Sequence, residues 1–148
     1  MILSGNTIRK LNIINPFVEK GTIRGRSYGV SHASYDIRIA QTAYLEPGEF
    51  HLFSSIEEFN MPKNVCGTIH DKSSWARRGL SVFNTLIDPG WKGFLTLELV
   101  NNGYERLRLT EGDPIAQLKF EYLDEEVSGY TGKYQLQEAG PQEARYEV

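Results

Sequence analysis

Short segments with alternating apolar and polar residues, separated by turn signals, recur along most of this chain of 148 residues. The clearest spans residues 95–99, where three leucines alternate with a threonine and a glutamate. Side chains on a β-strand point alternately to its two faces, so this period predicts strands with one buried face. Candidate strands cover residues 35–39, 50–53, 65–69, 81–86, 95–99, 107–109 and 115–123.

Turn-forming residues lie between these segments, at positions 88–90, 101–103 and 111–114. Short strands at this spacing are typical of a β-sandwich or a barrel, including the jelly roll. Helical signals are limited to two places. Ser4 can cap a short helix that has Ile8 and Leu11 on one face, and residues 72–78 can form a second. We therefore predict an all-β fold with one or two short helices.

Length and composition narrow the class of protein. The length fits a single domain over residues 1–148, and 40% hydrophobic residues suffice for one core. The net charge of −3 is spread along the chain, which argues against a nucleic-acid partner. No stretch approaches the ~18 apolar residues of a membrane span, and the N-terminus lacks a signal-peptide pattern. We expect a cytoplasmic protein, either the cell's own or phage-encoded and acting in the host cytoplasm.

A cluster of hydroxyl and cationic side chains occupies residues 71–80. Ser73 and Ser74 open the predicted helical turn, and Lys72, Arg77 and Arg78 lie within seven residues of one another. Hydroxyls and free backbone N–H groups at a helix start, together with cations, can hold phosphate. A capped helix with a solvated basic face would show the same residues, so the segment alone leaves both interpretations open.

Two acidic residues are candidates for chemistry. Asp88 precedes Pro-Gly, where an aspartate ordinarily forms a turn but can also hold a sugar hydroxyl or a water. Glu98 shares a strand face with Phe94, Thr96 and Val100, opposite the leucines. If that face lines a pocket, partial desolvation raises the pKa of Glu98 toward the range of a general base. On a solvent-facing surface, Glu98 would be an ordinary strand glutamate.

The polar, glycine-containing stretch from residue 124 to residue 148 is interpreted as a C-terminal tail. Such a tail can fold over a ligand and exclude water, or it can simply fray.

Cysteine and histidine usage bears on metal chemistry. Zinc deaminases need a His or Cys, a nearby Glu and a Pro-Cys-x-x-Cys run. The single cysteine, Cys66, lies in a predicted strand as a small apolar residue, and His32, His51 and His70 are isolated. We therefore predict no metal-ligating residues and expect any deamination to proceed without zinc.

Four segments, in this order, resemble the motifs shared by the dUTPase and dCTP deaminase superfamily. They are Ser34–Arg38, Lys72–Arg77, Ile87–Gly93 and Gly112–Leu118. The second has lysine where the family usually has arginine. The resemblance covers nearly the whole chain and implies a dUTPase-like distorted jelly-roll β-barrel. It also implies a homotrimer with nucleotide sites between subunits.

Two features favour the deaminase branch. The segment Thr96-Leu97-Glu98 matches the deaminase segment that ends in its catalytic glutamate, and the tail resembles deaminase tails around residues 132–141. One feature departs from that branch, because only six residues separate Leu80 from Ile87. Longer bacterial deaminases have more residues there, so the contacts to the base are open, and so is a bifunctional enzyme that converts dCTP to dUMP.

The resemblance implies hydrolytic deamination of dCTP to dUTP and ammonia. Glu98 would take a proton from the water that attacks C4 of cytosine, while Ser73 and Arg77 polarise the base and position that water. Magnesium would bind through the substrate phosphates, with no zinc. The implied substrate-binding residues are Lys72, Ser74, Thr85, Leu86, Asp88, Thr96, Tyr130, Lys133 and Gln137.

Two alternatives accompany this reading. In a dUTP diphosphatase, Asp88 would orient the attacking water. A nucleotide-binding regulator would have kept the fold and lost the chemistry, although a pure binder would not need Glu98, Asp88 and the Ser73-Ser74 pair together.

Overall fold

The protein is described by a computed structural model that covers residues 1–147. Strands dominate it, and two short helices complete it. The elements in chain order are α1 (Gly5–Lys10), β1 (Ile14–Asn15), β2 (Lys20–Ile23), β3 (Arg26–Val30), β4 (Tyr35–Arg38), β5 (Ala43–Leu45), β6 (Phe50–Asn60), β7 (Val65–Asp71), α2 (Ser73–Ala76), β8 (Leu80–Val82), β9 (Leu86–Ile87), β10 (Lys92–Asn101), β11 (Leu107–Leu109) and β12 (Pro114–Tyr122).

The strands form two main sheets and one two-stranded sheet. The six-stranded sheet has the order β2-β3-β4-β12-β7-β9, the four-stranded sheet has the order β1-β6-β10-β8, and β11 pairs with β5. Every pairing of named strands is antiparallel, and a bridge between Ile39 and Ser55 connects the two main sheets. Both sheets contribute to one apolar core. The predicted all-β architecture with two short helices is confirmed.

Strand β10 carries the alternation that the sequence predicts. Leu97 and Leu99 are fully buried and Leu95 is 8% exposed, while Glu98 is half-buried on the other face and lies opposite Leu52 of β6. Each buried leucine stabilises the fold by about 1.5–3 kcal/mol. The core side of β10 therefore fixes the direction in which Glu98 projects.

A buried ion pair also joins the two main sheets. Glu57 of β6 is fully buried and accepts hydrogen bonds from the backbone N–H and the Nε of Arg38 on β4, at 2.8 and 2.9 Å. Burial raises the pKa of Glu57, and the bonds from Arg38 oppose that rise. Arg38, part of the first resembling segment, is thus a structural residue.

Both predicted helices are present. The Ser4 hydroxyl accepts a hydrogen bond from the N–H of Thr7 and caps α1, and Ile8 is buried. Helix α2 is shorter than residues 72–78, because only residues 73–76 are helical, and the residue that precedes it, Lys72, makes no side-chain cap. The buried ring of Trp75 anchors α2, since its Nε1 donates to the carbonyl of Pro114 at 2.8 Å.

The prediction of one strand over residues 81–86 is wrong. The chain forms β8 and β9 in different sheets, with residues 83–85 between them. Asn84 explains the break, because its side chain takes the place of a neighbouring strand. Its amide donates to the carbonyl of Thr96 at 2.7 Å and accepts from the N–H of Glu98 at 2.9 Å. Strands β1, β2, β3 and β5 were not predicted, and β6 is much longer than residues 50–53.

The C-terminal stretch packs against the start of β10 over part of its length. The N–H of Leu136 donates to the carbonyl of Lys92, and the N–H of Phe94 donates to the carbonyl of Gln137. These bonds form a short parallel bridge between Gly93 and Gln137, and Gln137 is buried. Cys66 lies in β7, half-buried, and burial raises the pKa of its thiol. Within residues 1–147, no helix is long and apolar enough to cross a membrane.

Candidate active site

A cavity of about 540 Å³ opens between β9, β10 and the C-terminal tail. Seven of the twelve predicted site residues line it. They are Thr85, Leu86, Asp88, Thr96, Glu98, Tyr130 and Gln137. Residues that are up to about 50 positions apart in sequence thus lie around one cavity, because β10 lies between the β8–β9 connection and the tail.

Glu98 projects from the middle of β10 into this cavity. Burial raises the pKa of its carboxyl group, and no opposing charge or hydrogen bond contributes to that shift. Within residues 1–147, its carboxylate accepts no hydrogen bond from another side chain or from the backbone. An unpaired, partly desolvated carboxylate is a strong proton acceptor and can activate a water molecule.

Asn84 holds the backbone on both sides of Glu98. Its two hydrogen bonds, to the carbonyl of Thr96 and from the N–H of Glu98, fix the segment that carries the carboxylate. Asn84 is not among the site residues predicted from the sequence. The available signal was an amide side chain inside a predicted strand, where asparagine is otherwise disfavoured.

Part of the cavity wall is apolar. Ile69, Trp91 and Leu95 line it, and the Nε1 of Trp91 donates to the carbonyl of Tyr134 at 2.7 Å. The backbone of Asp88 forms the expected turn, since its carbonyl accepts from the N–H of Trp91, and the same residue lines the cavity. The turn and the ligand-binding interpretations of Asp88 are therefore compatible.

The tail forms the opposite wall. The Gln137 amide donates to the carbonyl of Phe94 at 2.7 Å and to the hydroxyl of Thr96 at 3.2 Å. The same Thr96 hydroxyl accepts from the N–H of Gln142. Lys133 lies outside the cavity lining and pairs with Glu147 at 3.0 Å, which raises the pKa of Lys133.

The Lys72–Arg77 segment does not line this cavity. The ammonium group of Lys72 lies 2.8 Å from a carboxylate oxygen of Asp36, with both side chains largely buried. The Ser74 hydroxyl oxygen accepts a hydrogen bond from Arg26 at 3.2 Å, and Ser73 and Arg77 are exposed. One chain therefore does not bring these residues to Glu98.

The charged residues that line the cavity are all acidic. Its lining includes the carboxylates Asp88, Glu98 and Glu143, and among residues 1–147 no lysine, arginine or histidine lines it. Such a surface favours a neutral ring and repels phosphates. A nucleoside triphosphate would need cations from outside this cavity.

In the part of the chain that the structure describes, no three His, Cys, Asp or Glu residues are placed to hold a metal ion together. His51 pairs with Glu49, and His70 contacts Thr68.

Comparison with known proteins finds a matching family model and similar curated proteins. The dCTP deaminase-like family model matches residues 4–123. A dCTP deaminase of Campylobacter concisus is 34% identical over 173 aligned positions, which cover 91% of this chain and 93% of the relative.

Solved structures agree in fold. The dCTP deaminase of Agrobacterium tumefaciens has a TM-score of 0.66 at 19% identity, and the match covers 83% of this chain and 49% of the other. The EIAV dUTPase has a TM-score of 0.61 at 19% identity, and the match covers 84% of this chain and 98% of the other. The predicted dUTPase-like fold is confirmed.

Proposed function

Because this chain belongs to the dCTP deaminase-like family, we propose that it is a dCTP deaminase that releases ammonia and dUTP without zinc. The observation that carries the proposal is the carboxylate of Glu98, unpaired and partly desolvated, on the wall of a cavity with an apolar inner side. A general base of raised pKa beside an apolar wall suits attack by water on a neutral heterocycle.

The reaction proceeds through two proton relays by Glu98. Glu98 accepts a proton from water as the water oxygen bonds to C4 of cytosine, the C4=N3 double bond opens, and Glu98 passes that proton to N3, which gives a tetrahedral intermediate with a hydroxyl and an amino group on C4. Glu98 then takes the proton of that hydroxyl and gives it to the amino nitrogen, the C4–N bond to the amino group breaks as the C4 carbonyl forms, and ammonia leaves. One water is consumed, its two protons end on N3 and on ammonia, and the glutamate ends in its starting state.

The remaining cavity residues bind the nucleoside. Asp88 accepts a hydrogen bond from the deoxyribose 3′-hydroxyl, and the backbone at Thr85 and Leu86 pairs with the edge of the pyrimidine. Tyr130 and Gln137 close the tail over the substrate, with Thr96 as the contact that holds the tail. Lys133 joins the phosphates after it leaves Glu147, whose salt bridge to it is exposed and therefore weak.

The phosphates bind to a second subunit in a homotrimer. The acidic cavity supplies no cation from residues 1–147, so Lys72, Ser73, Ser74 and Arg77 of a neighbouring subunit complete the site. Ser73 and Arg77 polarise the base and position the water, and Lys72 and Ser74 contact phosphate. A closed ring of three subunits gives three such sites.

Magnesium would bind through the substrate phosphates, because the described residues offer no group of three potential ligands. The ion would neutralise part of the triphosphate charge, and the residues of the chain would orient the nucleotide.

A second candidate is dUTP hydrolysis, alone or after deamination. The short connection around residues 81–86 and the position of Asp88 in the cavity favour it. Incubation with dCTP and with dUTP, with ammonia and pyrophosphate measured separately, distinguishes the candidates. We expect one ammonia per dCTP and no pyrophosphate. Pyrophosphate from dUTP without ammonia from dCTP would contradict the proposal, and absence of both products would favour a regulator.

A further inference from the structure

An arginine outside the four resembling segments contacts the proposed phosphate-binding segment. The Nε of Arg26, on β3, donates to the hydroxyl oxygen of Ser74 at 3.2 Å. Its guanidinium also stacks on the ring of Trp75, with Cζ 3.9 Å from the ring centroid. Arg26 is half-buried, whereas Ser74 is exposed. The stacking holds the cation in a fixed place beside a hydroxyl that remains open to a ligand.

We propose that Arg26 is a phosphate-positioning residue, which orients the Ser74 hydroxyl toward a substrate phosphate and adds a cation beside it. This inference rests on the proposed function, because it assumes that Ser74 contacts the phosphates of a nucleotide.

The hydrogen-bond geometry gives Arg26 this role. The Ser74 oxygen accepts from Arg26, so the hydroxyl hydrogen remains free to be donated elsewhere. A hydroxyl that accepts from a cation becomes a stronger donor, because neighbouring hydrogen bonds polarise one another. Within residues 1–147, the other guanidinium N–H groups of Arg26 make no hydrogen bond, so they too are available to an anion.

The neighbouring cations Lys72 and Arg24 cannot take the role of Arg26. The ammonium of Lys72 already pairs with Asp36, and their side chains are 11% and 8% exposed, so Lys72 can offer a phosphate N–H donors but little net positive charge. Arg24 pairs with the buried carboxylate of Asp113 at 2.6 Å. Arg26 is therefore the cation in direct contact with Ser74.

The surroundings of Arg26 carry an excess of positive charge that a bound anion would neutralise. Burial lowers the pKa of Arg26, and the positive charges of Arg78 and Arg24 lower it further against an opposing effect of Asp113. Phosphate oxygens beside Ser74 would relieve this repulsion between like charges.

The test compares Arg26→Gln with Arg108→Gln. Arg108 is the matched control, since its Cζ lies 5.7 Å from the centroid of the Tyr44 ring and its Nη1 lies 3.3 Å from the Tyr44 hydroxyl, outside the proposed phosphate-binding segment. We expect Arg26→Gln to raise KM for dCTP by about tenfold with kcat within about threefold, because one charged hydrogen-bond system is lost. KM for dCMP should rise less, and Arg108→Gln should change KM by less than about twofold.

Two further variants keep the outcome decisive. Arg26→Lys retains the positive charge, so its affinity for dCTP should be higher than that of Arg26→Gln. If the two variants are equally impaired, only the packing of Arg26 on Trp75 matters, and the inference is overturned. In a double-mutant cycle, Arg26→Gln should add little to Ser74→Ala. If Ser74→Ala weakens dCTP binding and Arg26→Gln does not, the inference fails and the proposed function stands. If neither weakens it, the phosphate segment of the proposed function fails as well.

Discussion

Glu98→Gln separates catalysis from folding. The amide has nearly the shape of the carboxyl group but cannot accept a proton from water. General-base catalysis contributes about 10²–10⁴ in rate, or about 2.7–5.5 kcal/mol of barrier, so ammonia release should fall by at least about 10². No side-chain partner within residues 1–147 is left unpaired by the change, so dCTP binding, measured by calorimetry, should remain nearly intact.

The stability of the folded protein should not fall with Glu98→Gln, although its activity does. Burial raises the pKa of Glu98, so the folded protein holds the proton more tightly than the unfolded chain. The ionised side chain therefore lowers stability above its folded-state pKa, and this penalty vanishes as the pH falls below the unfolded value. Thermal melting of Glu98→Gln at pH 7 should occur at an equal or higher temperature than that of the wild type.

The pH profile follows from the same shift. The acidic limb of kcat/KM should lie above the ordinary glutamate pKa of about 4.3. Glu121→Gln, on β12 and outside the cavity, is the matched control and should retain full activity. Deamination by Glu98→Gln within about threefold of the wild-type rate would refute the assignment of the general base.

Three further predictions concern the ion pair, the tail and zinc. Lys72→Ala should lower the free energy of unfolding by about 3–5 kcal/mol, because Asp36 is left buried and unpaired, and unchanged denaturant unfolding would contradict this. Gly93→Ala should release the tail, because the φ of Gly93 is 151° and a Cβ there would lie 2.7 Å from the backbone nitrogen of Gln137. The kcat for deamination should then fall by up to about 10², and proteolysis of the tail should accelerate. An unchanged kcat and an unchanged proteolysis rate would mean that the bridge between Gly93 and Gln137 is not needed. Treatment with a zinc chelator followed by excess magnesium should leave ammonia release intact, and activity that tracks zinc content in elemental analysis would disprove the zinc-independent mechanism.

The sequence predicted the features that depend on regular alternation. Residues 95–99 alternate without interruption, so the direction of Glu98 followed from the strand period alone. Strand β6 was underestimated because Ser54, Ser55 and Glu57 are polar yet buried. Each finds a partner distant in sequence, such as the N–H of Leu95 for Ser55. A local sequence pattern does not show such partners, so the polar residues after Phe53 predicted the end of the strand.

The hairpin of β2 and β3 was missed for a different reason. Its turn places Arg24 and Gly25 at positive φ, and arginine at such a position is not a turn signal in sequence. Arg26 and its contact with Ser74 were therefore out of reach, because 48 positions separate the two residues. The resembling segments identified which residues matter, but not that the Lys72–Arg77 segment lies away from Glu98 within one chain.

The composite site is the central claim, and subunit complementation tests it most directly. Glu98→Gln and Ser73→Ala subunits, each weakly active alone, are mixed in equal amounts, unfolded and refolded together. If each site takes Glu98 from one subunit and Ser73 from its neighbour, about a quarter of the sites in random trimers contain both intact residues. Ammonia release from dCTP should then recover to about a quarter of the wild-type rate. Mixed samples that show only the average of the two parent activities would contradict a site shared between subunits.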